Sequence, residues 1–250
     1  MARVEFWATA IREAALRDMV PLHVLERNLA ETLRGVYRTK IERGSILKMH
    51  QGVSRFTLEK VKPSLRAELD RRIMASANLI RLNRAKAVED TLQRFSGWAT
   101  SIPMGGSDVV DKRETKEEIK KPLQSLPWKE RRCATDQGHK FVSNLNNILA
   151  MDGGAIAVRW NSHWRQAGYN YRIDHKERDQ KVYLLRGNWA QEKGLVKAGS
   201  AGYYDEVTAF GEEISCRCFG TYLHSLRSVS ELLTDKGREA LAQARVAAAA

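Results

Sequence analysis

Leu65, Leu69, Ile73, Ala77, Ile80, Val88, Leu92 and Phe95 stand three, four or eight positions apart along one stretch of the chain. That is the spacing that lines one face of an α-helix. A stripe of roughly nine turns cannot stay exposed to water, so an intramolecular helical bundle or a neighbouring subunit must cover it. Pro63 and Ser64 supply the start signals, and the helix is expected to begin there. The opposite face carries Arg66, Arg71, Arg72, Arg81, Arg84 and Lys86. Such a face is either a solvated helix surface or a contact for nucleic acid or an acidic protein partner.

Charge sharpens that choice without settling it. The 250 residues hold 42 Lys and Arg against 30 Asp and Glu, a formal charge of +12. Residues 1–100 alone carry 19 basic and 11 acidic side chains, so the excess lies in the N-terminal part. A polyanion such as DNA is the usual partner for this balance. The opening "MARVEFWATAIREAALRDMV" is interrupted by charges at Glu5, Arg12, Glu13, Arg17 and Asp18, which argues against a secretory signal. No apolar run approaches the ~18 residues of a membrane span, and no membrane contact is expected. Three cysteines without an export signal point to a reducing cytoplasm rather than a disulfide framework.

The rest of the chain divides by pattern. Residues 1–100 read as a helical region in which two helices meet near Met19–Pro21. Residues 101–132, with Pro103, Gly105, Gly106 and Ser107 followed by a charge-dense run, read as a linker containing a short polar helix over 113–121. "PWKERRCATDQGHKFVSNLNNILAMDGG" reads as a helix that leads into a C-terminal domain over residues 133–240, with Phe141, Val142, Leu145, Ile148 and Leu149 as its apolar face and Gly153-Gly154 as its end. Beyond it, "AIAVRWNSHW", "KVYLLRGNW" and "ISCRCFGTYL" shorten the period towards two and predict a small antiparallel sheet. Residues 241–250 are an Ala-rich tail. The expected class is α+β, a mainly helical N-terminal half followed by a small domain with a short sheet.

Two segments hold candidate chemistry. "DHKERD" gathers Asp174, His175 and Asp179, and "SCRC" places Cys216 and Cys218 two apart, with both sulfurs on one face if the segment is a strand. His175, Cys216 and Cys218 make three of the four ligands zinc wants, and Asp174, Asp179 or Cys133 could complete the shell. The competing reading is inert thiols packed as small apolar groups. Histidine and carboxylates on a basic chain are also the ingredients of a metal-dependent nuclease, but no second histidine stands at a metal-pair spacing. A glycine-rich phosphate loop and a G-x-S-x-G elbow are both missing, so no complete catalytic constellation is present and no enzyme is expected.

The order "IDHKERDQKVYL", "GNWA" and "YYDEVTAFGEEISCRCFGTY" resembles the signature of Mu F-like phage head morphogenesis proteins, also called minor head or minor capsid proteins. Asp174, His175 and Asp179 match its first part, and Cys216, Arg217 and Cys218 match its closing Cys-Arg-Cys. With the helical segments upstream, the resemblance spans residues 64–240. It implies a structural virion protein in several copies per particle, associated with the portal or major capsid protein at the portal vertex and acting in head assembly or DNA packaging and delivery. Packaged DNA would lie nearby, and the host cytoplasm would be its location during assembly. Two departures stand out. Gln180 replaces a glycine, so the turn there need not be left-handed, and Arg172 and His175 stand where some members have a Cys-x-x-Cys that would complete a four-cysteine zinc site.

Overall fold

The computed structural model describes residues 2–101 and 112–249, with the side chains of the outermost residues of these stretches left aside. The expected Pro-Gly linker segment at 103–107 lies outside them. The fold is α+β: helices α1 (Ala2–Asp18), α2 (Leu22–Tyr37), α3 (Arg55–Ser101), α4 (Lys112–Gln124) and α5 (Leu126–Asp152) precede a three-stranded sheet. Strands β1 (Ala157–Asn161), β2 (Val182–Leu184) and β3 (Phe219–Leu223) alternate with the short helices α6 (Ile173–Glu177) and α7 (Trp189–Glu192). Helix α8 (Asp235–Ala249) closes the chain, so the Ala-rich tail is the end of a helix.

Two compact units form, and neither is one continuous segment. Met1–Thr32 with Arg72–Thr135 makes the first, and Leu33–Arg71 with Asp136–Ala250 the second. Both long helices, α3 and α5, contribute a part to each.

In the first unit α1 and α2 meet at Pro21, where an N–H is not needed. Ala15, Val88 and Leu92 are buried together, with Ala8, Ile11, Met19 and Leu123 against them. The polar helix expected over 113–121 is α4, and its Pro122 sits near the C-terminal end.

In the second unit α3 begins eight residues before the expected start. Ser54 rather than Ser64 is the cap, its Oγ accepting the Thr57 N–H at 3.1 Å, and Pro63 lies inside the helix. An interior proline costs ~3 kcal/mol. Leu58, Val61, Leu65 and Leu69 around it are all buried, and at ~1.5–3 kcal/mol each their burial outweighs that loss. Helix α5 ends as expected: the Ala155 N–H reaches the Ala150 carbonyl at 2.9 Å and the Gly154 N–H reaches Met151 at 3.2 Å. Gly154 takes φ +71° to close this pair of hydrogen bonds, a conformation open to glycine.

The sheet order is β2-β1-β3, antiparallel throughout. Alternate residues feed two cores. Ala157, Val182, Leu184 and Leu223 enter one, while Val158, Trp160, Tyr183 and Tyr222 enter the other. Both faces of β2 are buried, in keeping with its unbroken apolar run, whereas Arg159 and Asn161 on β1 and Phe219 and Thr221 on β3 leave one face of those strands partly open. Trp160 lies opposite Gly220, and a side chain at Gly220 would collide with the Phe210 ring. The absent Cβ lets Phe210 pack on Trp160, ring centroids 4.4 Å apart.

Candidate functional site

Beside Trp160 the second unit brings together residues far apart in sequence. His175 is the central residue of the five-residue helix α6 and is buried. Its ring meets Trp160 edge-on at 5.5 Å. Its Nδ1 lies 3.7 Å from Cys216 Sγ and 3.5 Å from Cys218 Sγ, residues 41 and 43 positions later. Both cysteines are buried.

The cysteines are not on a strand, contrary to the sequence expectation. They occupy the irregular approach to β3, which begins at Phe219. That approach turns through two left-handed residues, Gly211 at φ +73° and Ser215 at φ +65°. Side chains hold it in place: the Ser215 N–H donates to Asp136 Oδ2 at 3.1 Å, and Tyr169 Oη donates to the Ser215 carbonyl at 3.2 Å. The Arg217 N–H in turn donates to Tyr169 Oη at 3.3 Å. Arg217 lays its guanidinium over the Tyr169 ring at 5.4 Å, so the residue between the cysteines faces outward and clamps the loop. Arg172 donates to the Ile214 carbonyl at 3.0 Å, which ties α6 to the same loop.

The hydrogen bond from Cys218 holds the Cys216 thiol well below the ordinary range against the effect of burial, and the Gly211 and Cys218 amides and the His175 ring add to it. Cys218 is pushed upward by its partner and by burial. Of the two sulfurs, Cys216 is therefore the one that ionises more readily.

The other ring nitrogen of His175 faces carboxylates. Its Nε2 lies 3.5 Å from Glu213 Oε2 and 3.9 Å from Asp174 Oδ2. Arg172 pairs with Glu213, and Arg178 donates to Asp174 at 2.8 Å. Among the described residues, two groups can therefore hold an ion: His175, Cys216 and Cys218, and Asp174, His175 and Glu213.

Asp179, expected beside His175 as a fourth ligand, is elsewhere. It accepts the Ser162 N–H at 2.8 Å and the Trp164 Nε1–H at 2.9 Å, fixing the loop after β1. Four positions after His175, the chain has already left α6. Gln180 does take the left-handed conformation, at φ +64°, although it is not glycine. Cys133 belongs to the first compact unit and is not in the cluster. Glu213 escaped the sequence reading. Its position three before Cys216 was the one available signal.

The basic stripe of α3 is not a free cationic face. Arg66 pairs with Asp70, Arg71 with Glu68, Arg81 with Glu26 and Lys86 with Asp90. Arg84 bonds Glu130 at 2.6 Å with both side chains only 12% exposed, and Arg72 is buried. No helix among the described residues is long and apolar enough to cross a membrane.

Comparison with family models, curated proteins and solved structures found no match to this chain.

Proposed function

We propose that this chain is a non-enzymatic minor head protein of a tailed phage, built into the virion at the portal vertex and needed for head assembly or for DNA packaging and delivery. One observation carries the reading. The two short segments that resemble the head-protein signature, 174–179 and 216–218, are distant in sequence, yet His175, Cys216 and Cys218 from them meet in one buried cluster. That the two segments pack against each other supports reading them together as one pattern rather than separately.

A protein partner such as the portal or major capsid protein suits the first unit, where Phe6, Trp7, Leu16, Val20 and Leu82 are all exposed. Leu16, Val20 and Leu82 line one groove of this unit, an apolar recess that a protein surface could cover. The nuclease reading has less behind it, because both oxygens of Asp179 are engaged by Ser162 and Trp164 and Asp174 is engaged by Arg178. Generic DNA binding is weakened in the same way by the ion pairs along α3. The test is genetic and compositional. Mass spectrometry of purified particles should find the chain in several copies, and particles assembled without it should package or eject DNA poorly. Fully infectious particles lacking the chain would sink the proposal.

A further inference from the structure

The geometry points to a zinc site. His175 through Nδ1 and Cys216 and Cys218 through their thiolates bind one Zn²⁺, Glu213 acts as a positioning residue on the histidine ring, and solvent takes the fourth place. Zinc bonds of ~2.3 Å to sulfur and ~2.0–2.1 Å to nitrogen at tetrahedral angles put nitrogen and sulfur about 3.6 Å apart. The two observed separations, 3.7 and 3.5 Å, bracket that value. The two sulfurs also lie within 4.8 Å of each other, so the three soft or borderline donors are gathered closely enough to share one ion.

The alternative, thiols packed only to fill volume, does not account for the histidine. His175 is 1% exposed, and its Nε2 makes no hydrogen bond. A buried polar ring with an unpaired nitrogen is costly, and an apolar side chain would fill the same volume without that cost. Coordination at Nδ1 explains the arrangement. It leaves the ring proton on Nε2, directed at Glu213 Oε2 3.5 Å away, the carboxylate partner that metal-bound histidines commonly have. Arg172 holds Glu213 in turn.

The carboxylate side of His175 is the weaker place for an ion. Glu213 and Asp174 each already face a guanidinium, so a cation there would displace Arg172 and Arg178. On the sulfur side, two thiolates balance the charge of Zn²⁺, which suits a site taken out of water. Binding releases the thiol protons to solvent. The ion would join α6 to the approach of β3, two segments that no backbone ladder connects.

The test uses the full chain, purified without a metal-affinity tag, and it stands apart from any role in the virion. Elemental analysis should find close to one zinc per chain. Replacement by Co²⁺ should give the sulfur-to-metal charge-transfer band and the intense visible bands of tetrahedral thiolate ligation. Cys216→Ser with Cys218→Ser should abolish both, and Asp179→Ala should leave both in place. Glu213→Gln should keep the stoichiometry and weaken zinc binding roughly 10–100-fold in a chelator competition. Zinc content unchanged in the double serine variant would mean adventitious surface binding and overturn the site. So would folded wild-type protein that gives no thiolate band with Co²⁺, a reading that does not depend on any variant folding. Unchanged affinity in Glu213→Gln would overturn the positioning role alone.

Discussion

Asp179 is the residue whose role changed most between sequence and structure. Burial opposes its ionisation, but the Ser162 amide, the Trp164 indole and the Gln180 side chain hold its carboxyl below the usual range. A carboxylate lowered on folding stabilises the fold above its unfolded value and loses that contribution as pH falls through the folded one. Asp179→Ala should therefore lower stability at neutral pH by about 1–3 kcal/mol, and urea unfolding at neutral and acidic pH should show the difference between variant and parent shrinking in acid. Gln180 offers the opposite test. A non-glycine residue at φ +64° carries a backbone penalty, so Gln180→Gly should raise the unfolding free energy by about 1 kcal/mol, and with it the urea midpoint, if its bonds to Asn161 and Asp179, at 3.3 and 3.4 Å, contribute little. A lowered midpoint would show those bonds to outweigh the strain.

Element by element, what could be read from the sequence depended on whether its signals were local. The apolar stripe of α3, the polar α4, the glycine stop of α5 and the first two strand runs are written in neighbouring residues and form within the stretches that carry the pattern, whereas in the third run only Phe219–Leu223 is a strand and the cysteines before it are not. The start of α3 was misplaced because a proline marks a helix start only when tertiary burial does not override it. Ser54→Ala should cost about 1 kcal/mol by removing the true cap, whereas Ser64→Ala should have almost no effect on the thermal midpoint. At the site, the convergence of His175 with the cysteines was suggested by residue type. Glu213 and the real use of Asp179 were not, because they depend on how the loops after β1 and before β3 fold back.

For the molecule as a whole, two histidines of the second unit make stability sensitive to mild acid. His50 is lowered chiefly by burial, with its 2.9 Å bond to Asn146 opposing. His224 is lowered by burial, with the Gly153 carbonyl opposing. Both are neutral in the fold and free to protonate when unfolded, so stability is complete above their unfolded value of ~6.5 and declines as pH drops below it. The thermal midpoint should be lower at about pH 5.5 than at about pH 7.5, and His224→Gln should reduce the difference; equal midpoints would count against it. The interleaved path of the chain also governs how the protein can be taken apart. A fragment covering 133–240 would keep the sheet and the cysteine cluster but lose Leu58, Leu65 and Leu69, buried in the same unit, and the His50 and Glu68 partners of Asn146 and Asn144. Cutting between the apparent halves of the sequence therefore divides a core rather than a hinge, and dissection must begin from the intact chain.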